Sequence, residues 1–388
     1  MTSSTPADPA PEHQPAQPDP ASQLAVPQPA HPAATQPHAA AQQPQQPQWA
    51  WAQRFVWQTR ETEPLEYHRL LRGTENYRWW KPLLLLLLAG VYFGVFSVIV
   101  VLLSLPLLFA FDPTYIDDIT MGTGDILDTQ RPVSVFIAMA SIIVMIPSVT
   151  LAMLSLGMKP RGRIWSVAGR VRWGLLGRLM GAAVISVIVM NAVGIAAGVV
   201  LEPTAAGASE AGLPDSYSWQ MAVISMALVV LLVPFQATAE EVVFRGLFMQ
   251  VLGSWVKTPW LAILLPSIGF ALAHIYDIWG LAAVGLMGGV AAWLTWRTGG
   301  LEAAIAIHIV NNLIAFGLMA SGLAGSTAQT ESSGGPAGVI GEVAGLALFM
   351  WLTERVFVKG GHGRERIDLI HVQVPTHAAG SQNGTHHA

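Results

Sequence analysis

Three short polar clusters interrupt long apolar runs in a chain that is 52% apolar and only 11% charged. The first is Glu240-Glu241-Val-Val-Phe-Arg245, the second closes the run Phe270-Ala-Leu-Ala-His274, and the third is His308-Ile-Val-Asn-Asn312. Ionisable side chains are costly inside apolar segments, so each cluster asks for a reason. Helical spacing sorts their roles. Glu241 and Arg245 stand four apart with the acid first, the favourable order for a pair on one face. Glu240 is turned about 100° from Glu241 and stays outside that pair. His308 and Asn312 share a face by the same rule, while Asn311 does not. These are the parts of a water-activating hydrolase. Glu240 is suited to take a proton from water as general base, with His274 orienting the water. His308 and Asn312 are suited to donate to the oxyanion formed when water adds to a carbonyl. Glu240, His274 and His308 are equally suited to hold one divalent metal, with zinc a candidate. With no cysteine in the chain, a thiol nucleophile, a disulfide framework and Cys-ligated metal are excluded.

Taken singly, each cluster has an ordinary explanation: a solvated helix flank, a hydrogen-bonded histidine, an interhelical polar clamp. Phe270 reads as core packing. What favours a site is that the levels can meet. In the turn Gly253–Pro259, Glu240 lies 13 residues before Gly253 and His274 lies 15 after Pro259, so both stand about 20 Å above that turn. His308 stands only about 12 Å above the turn at Gly299-Gly300. The heights agree if the first hairpin protrudes from the membrane by about a turn and a half. Pro234 is expected to loosen its helix and free carbonyls for polar partners.

The elements that must position these residues are apolar runs near 82–110, 133–157, 176–201, 219–245, 260–277, 279–297, 301–320 and 337–358. About 20 residues of helix cross the ~30 Å of hydrocarbon, and backbone groups in lipid must be satisfied internally. The fold class is therefore all-α, a polytopic membrane helical bundle of about eight transmembrane helices. Residues 79–359 form the membrane domain, with its motif-bearing core at about 180–359. Residues 1–78 read as a disordered Pro/Gln/Ala-rich tail with a juxtamembrane segment. Residues 1–50 alone hold 12 of the 26 prolines. Residues 360–388 read as a polar tail whose histidines, including His386 and His387, lack ligand-like spacing.

Basic residues set the orientation. Arg54, Arg60, Arg69, Arg72, Arg78 and Lys81 precede the first run, and loop 158–178 carries six basic residues and no acid. Loop 112–131 carries five Asp and one Arg, and loop 202–218 is acidic only. The expectation is a multi-pass plasma-membrane protein with both termini cytoplasmic. A net charge of −4, dispersed along the chain, gives no footprint for nucleic acid.

The ordered set EExxxR at 240–245, FxxxH at 270–274 and HxxxN at 308–312 resembles the CPBP family of intramembrane proteases. Members include the type II CAAX prenyl endopeptidase and bacteriocin-processing or immunity proteins. The resemblance covers roughly 180–360. It implies an eight-helix fold with a cavity open to the cytoplasm, hydrolysis of a peptide bond in a peptide or protein substrate, and the lipid bilayer as the second partner. It also implies that Glu240 and His274 activate water, that His308 and Asn312 form the oxyanion hole, and that Glu241 and Arg245 support them. The family is described both as metalloproteases and as metal-independent glutamate enzymes. The chain departs from the pattern in its Pro/Gln tail and in the short interval from His274 to His308. Two other classes place Glu and His within spans: a proton-coupled transporter, which more typically shows internal repeats, and a catalytically silent scaffold.

Overall fold

The structure is a computed structural model, and it describes residues 55–201, 213, 217–323, 326–331 and 335–375. The histidines at 386 and 387, the tail 1–54 and most of loop 202–216 lie outside the described residues. Helices dominate. They are α1 (Lys81–Phe111), α2 (Tyr115–Met121), α3 (Pro132–Ile143), α4 (Met145–Ser155) and α5 (Trp173–Leu201). Then come α6 (Trp219–Glu241), a π-helix over Val242–Phe248, α7 (Met249–Trp255), α8 (Pro259–Leu272), α9 (Ile278–Thr298), α10 (Glu302–Ala320) and α11 (Gly335–Lys359).

Among the described residues, seven helical stretches are long and apolar enough to cross a membrane. They are Lys81–Phe111, Pro132–Ser155, Trp173–Leu201, Trp219–Trp255, Ile278–Thr298, Glu302–Ala320 and Gly335–Lys359. The eighth expected span, 260–277, is corrected: α8 has only 14 residues, about 21 Å, too short to cross alone. The chain still traverses at that point. Thr258 precedes α8 beside the end of α7, whereas Asp277 N–H donates to the Glu331 carbonyl at the opposite end of the bundle. The non-helical residues 273–277 cover the remaining distance.

Lipid explains the surface. Leu83, Leu87, Val91, Val95 and Val98 of α1 are all exposed, as suits a helix with no polar face. Where helices touch, small residues let backbones approach. A Cβ on Gly341 of α11 would collide with the Met190 carbonyl and with Gly194 of α5.

The two ends differ. At one, strand β1 (Phe55–Glu61) pairs antiparallel with β4 (Leu369–Pro375), and β2 (Leu65–Glu66) with β3 (Glu365–Arg366). A 3₁₀ strap, Tyr67–Gly73, buries Tyr67, Leu70 and Leu71 completely. Residues 67–73, expected as part of the tail, are therefore packed, because these apolar side chains find a docking surface on α7. Likewise, the segment after 360 contributes two strands. Arg163 pairs with Asp368, and Arg172 with Glu302, at this basic end. At the other end Arg131 binds Asp112 and Asp118, which raises its pKa through their hydrogen bonds and charge.

Candidate active site

Glu240 and Glu241 are the last two residues of α6, and the π-helix begins immediately after them. The wider winding of a π-helix is an irregularity often found at functional sites. Pro234 does not cause it: α6 continues unbroken through Pro234, and the Pro234 carbonyl accepts from the Thr238 hydroxyl at 2.7 Å. The helix is not broken at Pro234, although the missing proline N–H leaves the Val230 carbonyl without its usual partner.

The pair read from spacing is present. Arg245 Nη1 donates to Glu241 Oε1 at 2.9 Å, with both side chains 1% exposed. The same carboxylate oxygen accepts from His308 Nδ1 at 2.7 Å. Because Glu241 is already the acceptor for the guanidinium, Nδ1 is the protonated ring nitrogen, and Nε2 is turned to the other glutamate. His308 Nε2 lies 3.2 Å from Glu240 Oε2. The contact is close but poorly aligned, so Glu240 Oε2 is buried without a hydrogen-bond partner. Glu240 is thus outside the Arg245 pair, as expected, yet lies against His308.

Phe270 does more than fill the core. Arg245 stacks over its ring at 4.2 Å, and its edge meets His308 at a centroid separation of 5.7 Å. Phe244 also packs on it at 5.1 Å. Since α6 and α8 run antiparallel, contact between 244 and 270 brings the level of 240 to that of 274. Glu240 and His274 therefore stand at one level, as their spacing from the turn predicts. The first hairpin also runs further past the site: Glu240 lies about 22 Å from the end of α7, whereas His308 lies about 9 Å from the start of α10. The excess, about 13 Å, is what the strap Tyr67–Gly73 covers, and Gly253 has no Cβ because the His68 carbonyl occupies that space.

His274 follows the end of α8, on the non-helical part of the crossing. Its Nδ1 donates to the Phe270 carbonyl at 2.8 Å, and Tyr276 stacks on its ring at 5.6 Å. A carbonyl only accepts, so Nδ1 carries the proton and Nε2 keeps a free lone pair. Non-helical backbone at membrane depth is tolerated where it lines a protein-enclosed or wet cavity. No hydrogen bond or ion pair joins His274 to Glu240 among the described residues.

Asn312 faces α6 one turn beyond His308, as the shared face requires. Its Nδ2 donates to Gln236 Oε1 at 3.2 Å, leaving one amide N–H uncommitted. Gln236 was not singled out in the sequence, although a buried amide four residues before Glu240 was a readable signal. The structure therefore gathers Glu240, Glu241, Arg245, His308 and Asn312, with His274 level but apart. Among the described residues no group of three or more His, Asp or Glu could hold a metal ion. Glu240, His274 and His308 thus do not fit a metal as a ligand set.

Comparison with known proteins bears on the same segment. The uncharacterised protein YyaK of Bacillus subtilis (strain 168) is 31% identical over 112 residues, which is 26% of this chain and 38% of that protein. The chain spans well under half the length of that relative. No solved structure matches. Residues 219–314 match the family model described as type II CAAX prenyl endopeptidase Rce1-like, a stretch that contains all three motifs and every residue of the cluster around Glu240.

Proposed function

We propose that the protein is a membrane-embedded endopeptidase that hydrolyses a peptide bond with a water activated by Glu240. The observation that carries this is the buried cluster in which Glu241 Oε1 is bound by Arg245 and His308, while Glu240 is free of the guanidinium and its Oε2, like Glu241 Oε2, is buried without a hydrogen-bond partner. A buried acceptor without a donor is costly, and a water would satisfy it. In this reading the water sits between Glu240 and the free Nε2 of His274. Glu240 takes its proton as the oxygen adds to the substrate carbonyl, then returns that proton to the leaving amine. The spare Asn312 N–H, with His308 beside it, donates to the oxyanion. Glu241 holds the His308 ring in place through Nδ1–H, which leaves Nε2 an acceptor and makes Asn312 the donor.

No step is routed through a metal, because the residues do not gather as ligands. The bacteriocin-processing or prenyl-protein substrate type, the plasma membrane and cytoplasmic termini belong to the same proposal. Orientation rests on the basic end. The test is purified full-length protein in nanodiscs with fluorogenic peptides, with and without a prenylated cysteine. Cleavage by the wild type and its loss in Glu240→Gln are expected. Cleavage unchanged in Glu240→Gln, or no cleavage of any peptide, overturns the reading and leaves a transporter or scaffold.

A further inference from the structure

A second polar feature lies on the other side of α10, outside the three motifs. Glu342 of α11 is 7% exposed, and its Oε1 is buried without a hydrogen-bond partner. It is one wall of a cavity of about 390 Å³ between α5, α9, α10 and α11, which Asn191 and Asn311 also line. Asn191 Nδ2 donates to the Val187 carbonyl at 2.8 Å, and Asn311 Nδ2 makes a long contact of 3.5 Å with Asn312 Oδ1. One N–H of each amide is thus committed within the protein. The Oδ1 atoms and the carboxyl of Glu342 have no donor among the described residues.

An orphaned carboxyl within a span is a functional feature by default, since a bilayer interior offers it no water. Three side chains offering oxygen acceptors call for a donor-rich, cationic ligand. The remaining walls are narrow and apolar: Gly194, Gly198 and Ala283 are among them. At roughly 30 Å³ per water, the cavity holds far more than a bare ion. Its rim includes Ile195, 70% exposed, and Ile314, 41% exposed, so it opens sideways toward lipid. A lysine has the matching shape, a flexible apolar stem ending in a compact ammonium with three donors.

We infer that this cavity is a side-chain subsite for a lysine carried by a membrane-embedded peptide substrate. The inference rests on the endopeptidase reading and deepens it. Asn311 lies one turn, about 4.5 Å along the axis, from His308. A lysine seated against Glu342 therefore sets which peptide bond reaches Glu240. Asn311 and Asn312 connect the two compartments through their mutual contact.

The test uses full-length protein in phosphatidylcholine nanodiscs and two labelled Leu/Ala-rich helical peptides, alike except for one Lys or norleucine at the depth of Glu342. Binding is read by fluorescence anisotropy on the wild type and on Glu240→Gln, so it does not depend on turnover. The lysine peptide is expected to bind at least roughly tenfold more tightly to both proteins. Glu342→Gln, which keeps the shape and removes the charge, and Ala283→Phe, which fills the cavity, should each bring the ratio near one. A ratio near one on the wild type, or a preference that survives in Glu342→Gln, overturns the inference. So does loss of the preference when phosphatidylethanolamine is added, which would make this a lipid-amine site. If the preference is present but no peptide is ever cleaved, the subsite stands and the endopeptidase reading falls.

Discussion

At the scale of single residues, neighbouring glutamates have different tasks because one is committed and the other is not. Glu241 accepts from both Arg245 and His308, so Glu241→Ala strands a buried guanidinium and frees the imidazole. Breaking a buried pair by removing one partner costs about 3–5 kcal/mol. Glu241→Ala should therefore lower the unfolding temperature and yield sharply, while Glu240→Ala unfolds near the wild-type temperature and does not cleave. Thermal unfolding beside a turnover assay checks this, and equal stability of the two variants would remove the division of labour. Asn312 is different again, since an amide can only donate or position. Loss of one oxyanion donor costs about 10²–10³ in turnover. Asn312→Ala should show that loss in kcat with KM and expression little changed. Undiminished turnover would dismiss Asn312 from the reaction. The pairing of Glu241 with Arg245 and the shared face of His308 and Asn312 were legible because four-residue spacing is a local property of a helix. That His308 would bind Glu241, and Asn312 would bind Gln236, was not legible, because it depends on how α10 is rotated against α6.

At the scale of elements, the crossing made by α8 and the strap Tyr67–Gly73 show where local reading stops. Apolar composition marked 260–277 as membrane-embedded, but not that its helix ends at Leu272, since His274 gains a backbone partner and Tyr276 a hydrogen bond from Gln329 only in the folded bundle. The strap follows a Pro-rich tail and has no helical period, so its burial was hidden. It is held through His68, fully buried, whose Nε2 meets the Lys257 carbonyl at 3.0 Å. Burial lowers the His68 pKa from its ordinary value, Arg69 lowers it further, and the Lys257 hydrogen bond and Glu66 oppose that shift. The folded strap therefore binds a proton less readily than the unfolded chain. Its docking is fully stable above the ordinary histidine pKa of about 6.5 and weakens as pH falls through the lower folded value. Limited proteolysis between 60 and 80 should accelerate on acidification below about pH 6.5. His68→Asn, which cannot titrate, should cleave at a rate independent of pH over the same interval. Equal pH dependence in both proteins would assign the effect elsewhere.

At the scale of the whole molecule, charge and fold agree about which segments share an end. The strands at 55–61 and 369–375 pair with each other, so both described ends of the chain lie together. The basic segment around Arg163 and Arg172 joins them through Asp368 and Glu302. Asp112, Asp118 and Arg131 cluster at the opposite end, where the Thr129 N–H also donates to the Thr327 carbonyl. Among the described residues the chain runs along the bundle eight times, seven of them in helices long enough to cross a membrane, and returns to the end where it began, which is why loop charges could report a global property. The basic end is then expected to face the cytoplasm. Cysteine is absent from the chain, so single introduced thiols make clean reporters. Thr123 on the acidic side and Ala168 on the basic side are both exposed, whereas Ser166 is buried and is a poor position for a probe. In intact cells an impermeant maleimide should label Thr123→Cys and leave Ala168→Cys unmodified until the membrane is opened. The reverse pattern would place the basic end outside. It would also place the site around Glu240, which lies nearer the basic end, away from any peptide presented from the cytoplasm.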